Sequence, residues 1–230
     1  MNRGKRWRLA VMMALVYGVQ GAFWPLLAVH LADLGIGGRA RGWIFATQAI
    51  GSAAVPLGAG QLVDRLMATQ RFLALVSALG AGLLAVVAAG WVNSAAGLLG
   101  VFLAYWALTA STYALCNSLA LRNLDDPGRE FGGVRLWGTA GWMVAGWVVS
   151  LVMAATGTAR AGHGAFVALG IAAVLSAAFA LFCLTLPHTP PLAVGARGEG
   201  ALRQSLVLAR QPDVAVFLLT SLGLYLTTPM

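Results

Sequence analysis

The sequence predicts an all-α integral membrane protein, six transmembrane helices followed by the start of a seventh, on three observations. Of its 230 residues, 60% are hydrophobic and only 10% are charged, where soluble domains carry roughly 25% charged residues. The apolar residues gather in long runs, each close to the roughly 20 residues that a helix needs to cross about 30 Å of hydrocarbon. The basic residues between those runs fall unevenly on the two sides that alternating helices would define. A mean hydropathy of +0.81 also excludes disorder, whose signature is low hydrophobicity.

Taken in order, the spans cover residues 9–31, 42–62, 72–92, 95–119, 136–156 and 165–186, which together make residues 1–186 a six-helix bundle. None alternates with period two, as a barrel strand would, and a helix satisfies its own backbone groups within lipid. The first run is too long for a signal-peptide core and reads as a retained span. Asn93 and Ser94 form a tight hairpin between spans three and four. Residues 187–213 carry Pro187, Pro190, Pro191 and three arginines, and read as a cytoplasmic linker with a short amphipathic helix over 201–210. A seventh apolar run, 214–230, begins a further helix. Six helices, a long inner linker and a new helix are the layout of half a transporter, so a second six-helix half is expected to be missing from this chain.

Arginine and lysine in short connections set orientation. Arg3, Lys5, Arg6 and Arg8, then Arg65 and Arg71, then Arg122, Arg129 and Arg135, then Arg197, Arg203 and Arg210 fall on one side; only Arg39, Arg41 and Arg160 fall on the other. This predicts a multi-pass protein of the cell inner membrane with a cytoplasmic N-terminus and the lipid bilayer as its partner. A net charge of +8 does not mark a nucleic-acid binder, which gathers its cations into one patch, whereas these are dispersed. Cys116 and Cys183 lie inside apolar runs and match no metal spacing. No cluster of His, Asp or Glu lies at membrane depth, and there are no paired carboxylates, phosphate-cradling glycine loop or nucleophile elbow. No enzyme, no metal and no cofactor are expected.

Two stretches carry the functional signal. Residues Gly60-Gln-Leu-Val-Asp64-Arg65, then Gln70-Arg71, join spans two and three. A glycine lets helices approach closely, an aspartate suits the next helix N-terminus, and Arg65 and Arg71 hold the loop inside. An ordinary positive-inside hairpin with a capping aspartate fits the same residues. The second stretch places Arg135, Thr139 and Trp142 at i, i+4 and i+7, on one face of an apolar helix that Arg135 opens. An arginine near membrane depth is costly and should face the bundle interior. Guanidinium, hydroxyl and indole together suit a polar, ring-shaped ligand. The alternative has Arg135 snorkelling to the interface and Trp142 packed in the core.

The Gly60–Arg65 connection is similar to the loop motif of the major facilitator superfamily, in which its role is conformational. The run Arg-Leu-Trp-Gly-Thr-Ala-Gly-Trp at 135–142, Trp147-Val-Val-Ser-Leu151 after it, and Leu184-Thr-Leu-Pro-His188-Thr-Pro190 resemble the nucleoside:proton symporters of that superfamily, close to the lactose-permease-like group. The resemblance runs with gaps from about Gly21 to the chain end. It implies the N-terminal half of a major facilitator fold and proton-driven uptake of nucleosides by alternating access, the proton acting as coupling ion. On the family's pattern Arg135 and Thr139 touch the nucleoside and Trp142 stacks on or walls its base; phenylalanine also occurs there. In sugar-transporting relatives the corresponding aromatic stacks on a sugar ring, so a proton symporter for a sugar, oligosaccharide or other small polar solute is the alternative. Those relatives pair the arginine with an acid in span four, where this chain has Asn117.

Further candidates come from period alone. Tyr17, Gln20 and Trp24 share a face of span one, as do Thr109, Tyr113 and Asn117 of span four. Gln20, Trp24, Tyr113 and Asn117 join the expected substrate site, although polar helix–helix contacts would explain each of them as well. His30, near the end of span one, is a weaker candidate for a proton-linked group. All seven acids lie in connections or at helix ends, so the six spans offer no carboxylate for proton coupling. A lone half has no second cavity wall and is expected not to transport unless another half supplies one.

Overall fold

The computed structural model describes residues 3–158, 164–189, 211, 212, 214–216 and 220, with the backbone alone for residues 3 and 53–66. The chain divides into two compact units, Met1–Pro191 and Leu192–Met230. The first holds α1 (Arg3–Asp33), α2 (Gly38–Leu66), α3 (Thr69–Ala88), α4 (Ala95–Thr109), α5 (Thr112–Asn123), α6 (Pro127–Thr156) and α7 (Gly164–Cys183). There is no strand among the described residues. Among the described residues, five segments, with α4 and α5 read as one (Ala95–Asn123), are long and apolar enough to cross a bilayer. The amphipathic helix expected at 201–210 lies outside the described residues, and so does most of the seventh run.

Helix ends depart from the apolar runs for local reasons. Hydropathy measures bilayer thickness, whereas a helix runs on until its backbone is capped. α6 therefore begins at Pro127, with Asp126 as N-cap accepting from the Arg129 N–H at 3.2 Å; proline at the first helical position loses only a donor that has no partner there. Arg135 does not open this helix, as the apolar run suggested. It lies about 12 Å inside it at 1.5 Å per residue. At the far end of α3, Gly90 takes φ +71°, which ends the helix before the apolar run stops and starts the turn to α4. Ser94 caps α4 by accepting from the Gly97 N–H.

Contacts give the direction of each helix. Arg6 lies beside Gly133 and Ala14 beside Gly141, so α1 and α6 run parallel. The Arg8 guanidinium donates to the Thr185 carbonyl at 3.0 Å, while the His30 and Phe166 rings meet at 4.7 Å, so α7 runs antiparallel to α1. Thr69 N–H donates to the Thr189 carbonyl and Ser176 to the Ser77 carbonyl, so α7 is antiparallel to α3 as well. Two large cores and a small cluster at Phe72 and Val76 lie among the described residues. One surrounds Phe23, Phe102 and Trp106, and the other surrounds Leu9, Met12, Leu73, Cys116 and Phe179. α6 leaves Leu136, Trp147 and Leu151 more than 60% exposed, an apolar face suited to hydrocarbon or to another helix.

Candidate functional site

The site begins with glycines. α1 and α6 cross so closely that a Cβ on Gly141 would lie 2.1 Å from the Ala14 carbonyl oxygen, and one on Gly21 would lie 2.6 Å from the Trp142 carbonyl oxygen. Small residues at such crossings let helix backbones meet. One turn before Gly141, Gly138 leaves room for the Tyr17 ring; a Cβ there would lie 2.7 Å from Tyr17 Cδ2 and 2.9 Å from an Arg135 guanidinium nitrogen. The glycines thus bring a tyrosine of α1 and an arginine of α6 into one space.

The Arg135 guanidinium lies over the Tyr17 ring, 4.1 Å from its centroid. The Tyr17 and Tyr113 rings meet at 4.8 Å with their planes tilted by 55°. The Tyr113 hydroxyl donates to Gln20 Oε1 at 2.5 Å. A cation, two phenols and an amide from three spans therefore form one continuous cluster, and each of the four side chains is half-buried. Guanidinium over a ring face is worth about 0.5–2 kcal/mol, more as water is excluded. Arg135 thus meets an aromatic face on α1 instead of snorkelling free of the bundle.

The other expected site residues distribute around this cluster. Thr139, one turn beyond Arg135, is exposed. Trp142 is half-buried and covers Gly21, its Cγ 3.0 Å from where a Cβ would stand. Trp24 sits edge-on to Phe45 at 5.0 Å and Trp106 at 5.6 Å, so it belongs to an aromatic box with α2 and α4 and not to the Arg135 cluster. Asn117 is half-buried, with an Oδ1 that is sealed from solvent and has no hydrogen-bond partner. Thr109 is buried, and its hydroxyl donates to the Tyr105 carbonyl at 2.8 Å. His30 is buried against Phe166 and its Nε2 finds no partner.

Of the loop motif, Gly60, Asp64 and Arg65 lie where the backbone alone is described, and Arg71 is exposed in the first turn of α3. Its neighbour Gln70 holds a network that the sequence reading missed. Gln70 accepts from the Thr189 N–H at 3.1 Å and its amide nitrogen meets His188 Nδ1 at 2.8 Å, while the Asn123 amide donates to Thr189 Oγ1 at 3.1 Å. The chain leaving α7 is thereby tied to the ends of α3 and α5. No group of three or more His, Cys, Asp or Glu able to hold a metal occurs among the described residues.

A family model described as "Nucleoside H+ symporter" matches residues 3–228. The Escherichia coli (strain K12) protein named "Putative nucleoside transporter YegT" is 30% identical over 216 residues, covering 93% of this chain and 50% of that protein. A crystal structure of the nucleoside transporter NupG superposes with a TM-score of 0.76 at 25% identity, over 97% of this chain and 54% of that one. A point-mutant form of NupG gives a TM-score of 0.78 at 24% identity, over 92% and 52%. The chain spans about half the length of the relatives it matches. With its helices arranged as in a major-facilitator-type N-terminal half, this multi-pass membrane chain belongs to the nucleoside H+ symporter family.

Proposed function

We propose that this chain forms one half of a proton-coupled nucleoside transporter of the cell inner membrane, its N-terminus cytoplasmic. The second half, in the same polypeptide or in another, supplies the opposite wall of an alternating-access cavity. The observation that carries this reading is the Arg135 guanidinium held over Tyr17 beside Tyr113 and Gln20. Such a group offers fixed N–H donors to the hydroxyls or carbonyls of a nucleoside. Thr139 adds a hydroxyl one turn further along α6, and Trp142 offers a flat indole to the base. Gln20, Tyr113 and Asn117 contribute polar atoms from α1 and α5, with Trp24 as an apolar wall.

Gly60, Asp64, Arg65 and Arg71 act in the conformational change and not in solute contact. No chemical step and no bound cofactor are required, since the proton is the coupling ion. Among the described residues of the apolar spans, the acids Asp33 and Glu130 stand at the last residue of α1 and in the first turn of α6, so this reading looks to the second half for the proton-binding group. An aromatic partner for Arg135, with Asn117 in place of an acid on the neighbouring span, favours a nucleoside over a galactoside-type sugar.

The test is uptake of radiolabelled uridine by the transport-competent protein, with competition by a panel of nucleosides and sugars. Nucleosides compete and sugars do not; Arg135→Ala loses about 10-fold or more in apparent affinity, the scale of a lost hydrogen bond to a charged group. Competition by sugars alone would replace the nucleoside reading with the sugar one. The 230-residue chain alone gives no saturable uptake.

A further inference from the structure

The first turns of α1 lie along α6 and border a groove on the side away from the solute cluster. Trp137 follows Arg135 by two residues, about 200° round the helix, so this groove opens away from Tyr17 and Arg135. Its floor is bare backbone. Gly133 is exposed one turn before Trp137, and the Arg6 guanidinium lies over it, Nη2 standing 3.1 Å from where a Cβ would be. The next residue of α1, Trp7, meets the Trp137 ring edge-on, with centroids 6.2 Å apart and planes at 82°. Both indoles stay open, Trp7 at 59% and Trp137 at 47% exposure.

The open charge at the head of the groove is positive. Lys5, Arg6 and Arg8 are exposed. Arg8 is engaged with the Thr185 carbonyl, whereas Arg6 makes no ion pair among the described residues. Glu130, one turn before Gly133, turns one carboxylate oxygen inward, sealed from solvent. Beyond the indoles the groove becomes apolar. Trp137, Val144 and Val148 recur at i, i+7 and i+11 as one ridge of α6, each 41–50% exposed. From Trp137 to Val148 is about 16 Å at 1.5 Å per residue, close to half of a hydrocarbon core about 30 Å thick. Indoles between a charged zone and an apolar one suit the headgroup level of a membrane.

This order of groups identifies the ligand. A cation, an aromatic bracket and then one leaflet's depth of apolar ridge match a phospholipid with an anionic headgroup. A free phosphate would use only the head of the groove, and a neutral lipid would leave the Arg6 charge unanswered. A second copy of the chain, seated here by two-fold symmetry, would bring the same cations face to face.

We propose that the α1–α6 groove binds one anionic phospholipid of the leaflet at the N-terminal side of the bundle, its phosphate on Arg6 over Gly133 and an acyl chain along Trp137, Val144 and Val148. The lipid clamps the first turns of α1 to α6, and the site depends on neither the solute nor the coupling ion proposed above.

The test is native mass spectrometry of the 230-residue chain, released from detergent after titration with phosphatidylglycerol, phosphatidylcholine or glycerol 3-phosphate. Phosphatidylglycerol binds about 5-fold or more tighter than phosphatidylcholine, and Arg6→Gln removes about that factor, the scale of one basic residue at an anionic surface. Arg129→Gln removes an equal charge from a 90% exposed side chain near the same end of α6 and leaves the phosphatidylglycerol affinity unchanged. Trp137→Ala weakens both lipids. All three substituted residues are exposed, so the fold is kept. Equal binding of the two lipids, or equal losses from Arg6→Gln and Arg129→Gln, overturns the site in favour of a diffuse positive surface. Displacement of the lipid by glycerol 3-phosphate overturns it in favour of a free phosphate, and a dimer that takes up no lipid overturns it in favour of a second copy.

Discussion

Substituting Gly141 by alanine tests whether the approach of α1 to α6 is set by contact between their backbones. A Cβ at Gly141 would stand 2.1 Å from the Ala14 carbonyl oxygen and 2.6 Å from Ala14 Cα, and neither backbone atom can rotate away. An ordinary carbon–oxygen contact is about 3.3–3.6 Å, so the helices would have to part by roughly 1.2 Å. Gly146, on the same helix, supplies the control because a Cβ there meets nothing within 4 Å. Both substitutions gain the same helix propensity, about 1 kcal/mol, and only Gly141→Ala carries the overpacking cost of about 1–3 kcal/mol. The variants should therefore differ by about 1–3 kcal/mol, or roughly 3–10 °C in detergent melting, with Gly146→Ala above wild type. If the two variants melt together, or Gly141→Ala melts higher, the helices are not in backbone contact at Ala14.

Two further outcomes follow from the same contacts. Tyr17→Leu removes the ring beneath the Arg135 guanidinium and should weaken nucleoside affinity in the transport-competent protein about 2- to 30-fold, the range of a cation–π contact, whereas Tyr17→Phe keeps the ring and should stay within about 3-fold. Gln70→Leu takes the acceptor from the buried Thr189 N–H, a loss of about 1–3 kcal/mol, so hydrogen exchange at residues 185–189 should quicken about 10-fold or more while the middle of α3 is unchanged.

The apolar runs and the arginine distribution made the helical, membrane-spanning character of the chain legible, because both respond directly to hydrocarbon. Helix ends were less legible. α6 starts nine residues before the apolar run at 136 because Asp126 and Pro127 cap it in a polar stretch that hydropathy ignores. The break between α4 and α5 at Ala110 and Ser111 left no glycine or proline to read; the local contact beside it is the Thr109 hydroxyl donating to the Tyr105 carbonyl. In the site, the polar faces of spans one and four were visible as period, and Tyr17, Gln20 and Tyr113 do converge. The pairing of Tyr17 with Arg135 was not visible, because it depends on the register of two helices far apart in sequence. Glycines set that register through packing, not through pattern. Trp24 shared the face of Gln20 on paper but turns toward Phe45 and Trp106, since its ring finds more aromatic surface there.

The most direct test of the proposed substrate face is a cysteine at Thr139. That residue is exposed one turn from Arg135, and the natural Cys116 and Cys183 are buried and would label little. In membranes bearing the transport-competent protein, Thr139→Cys should react with a charged, water-borne thiol reagent, and uridine should protect it. Reaction only with a lipid-soluble reagent, indifferent to uridine, would place that face of α6 against hydrocarbon and contradict the account.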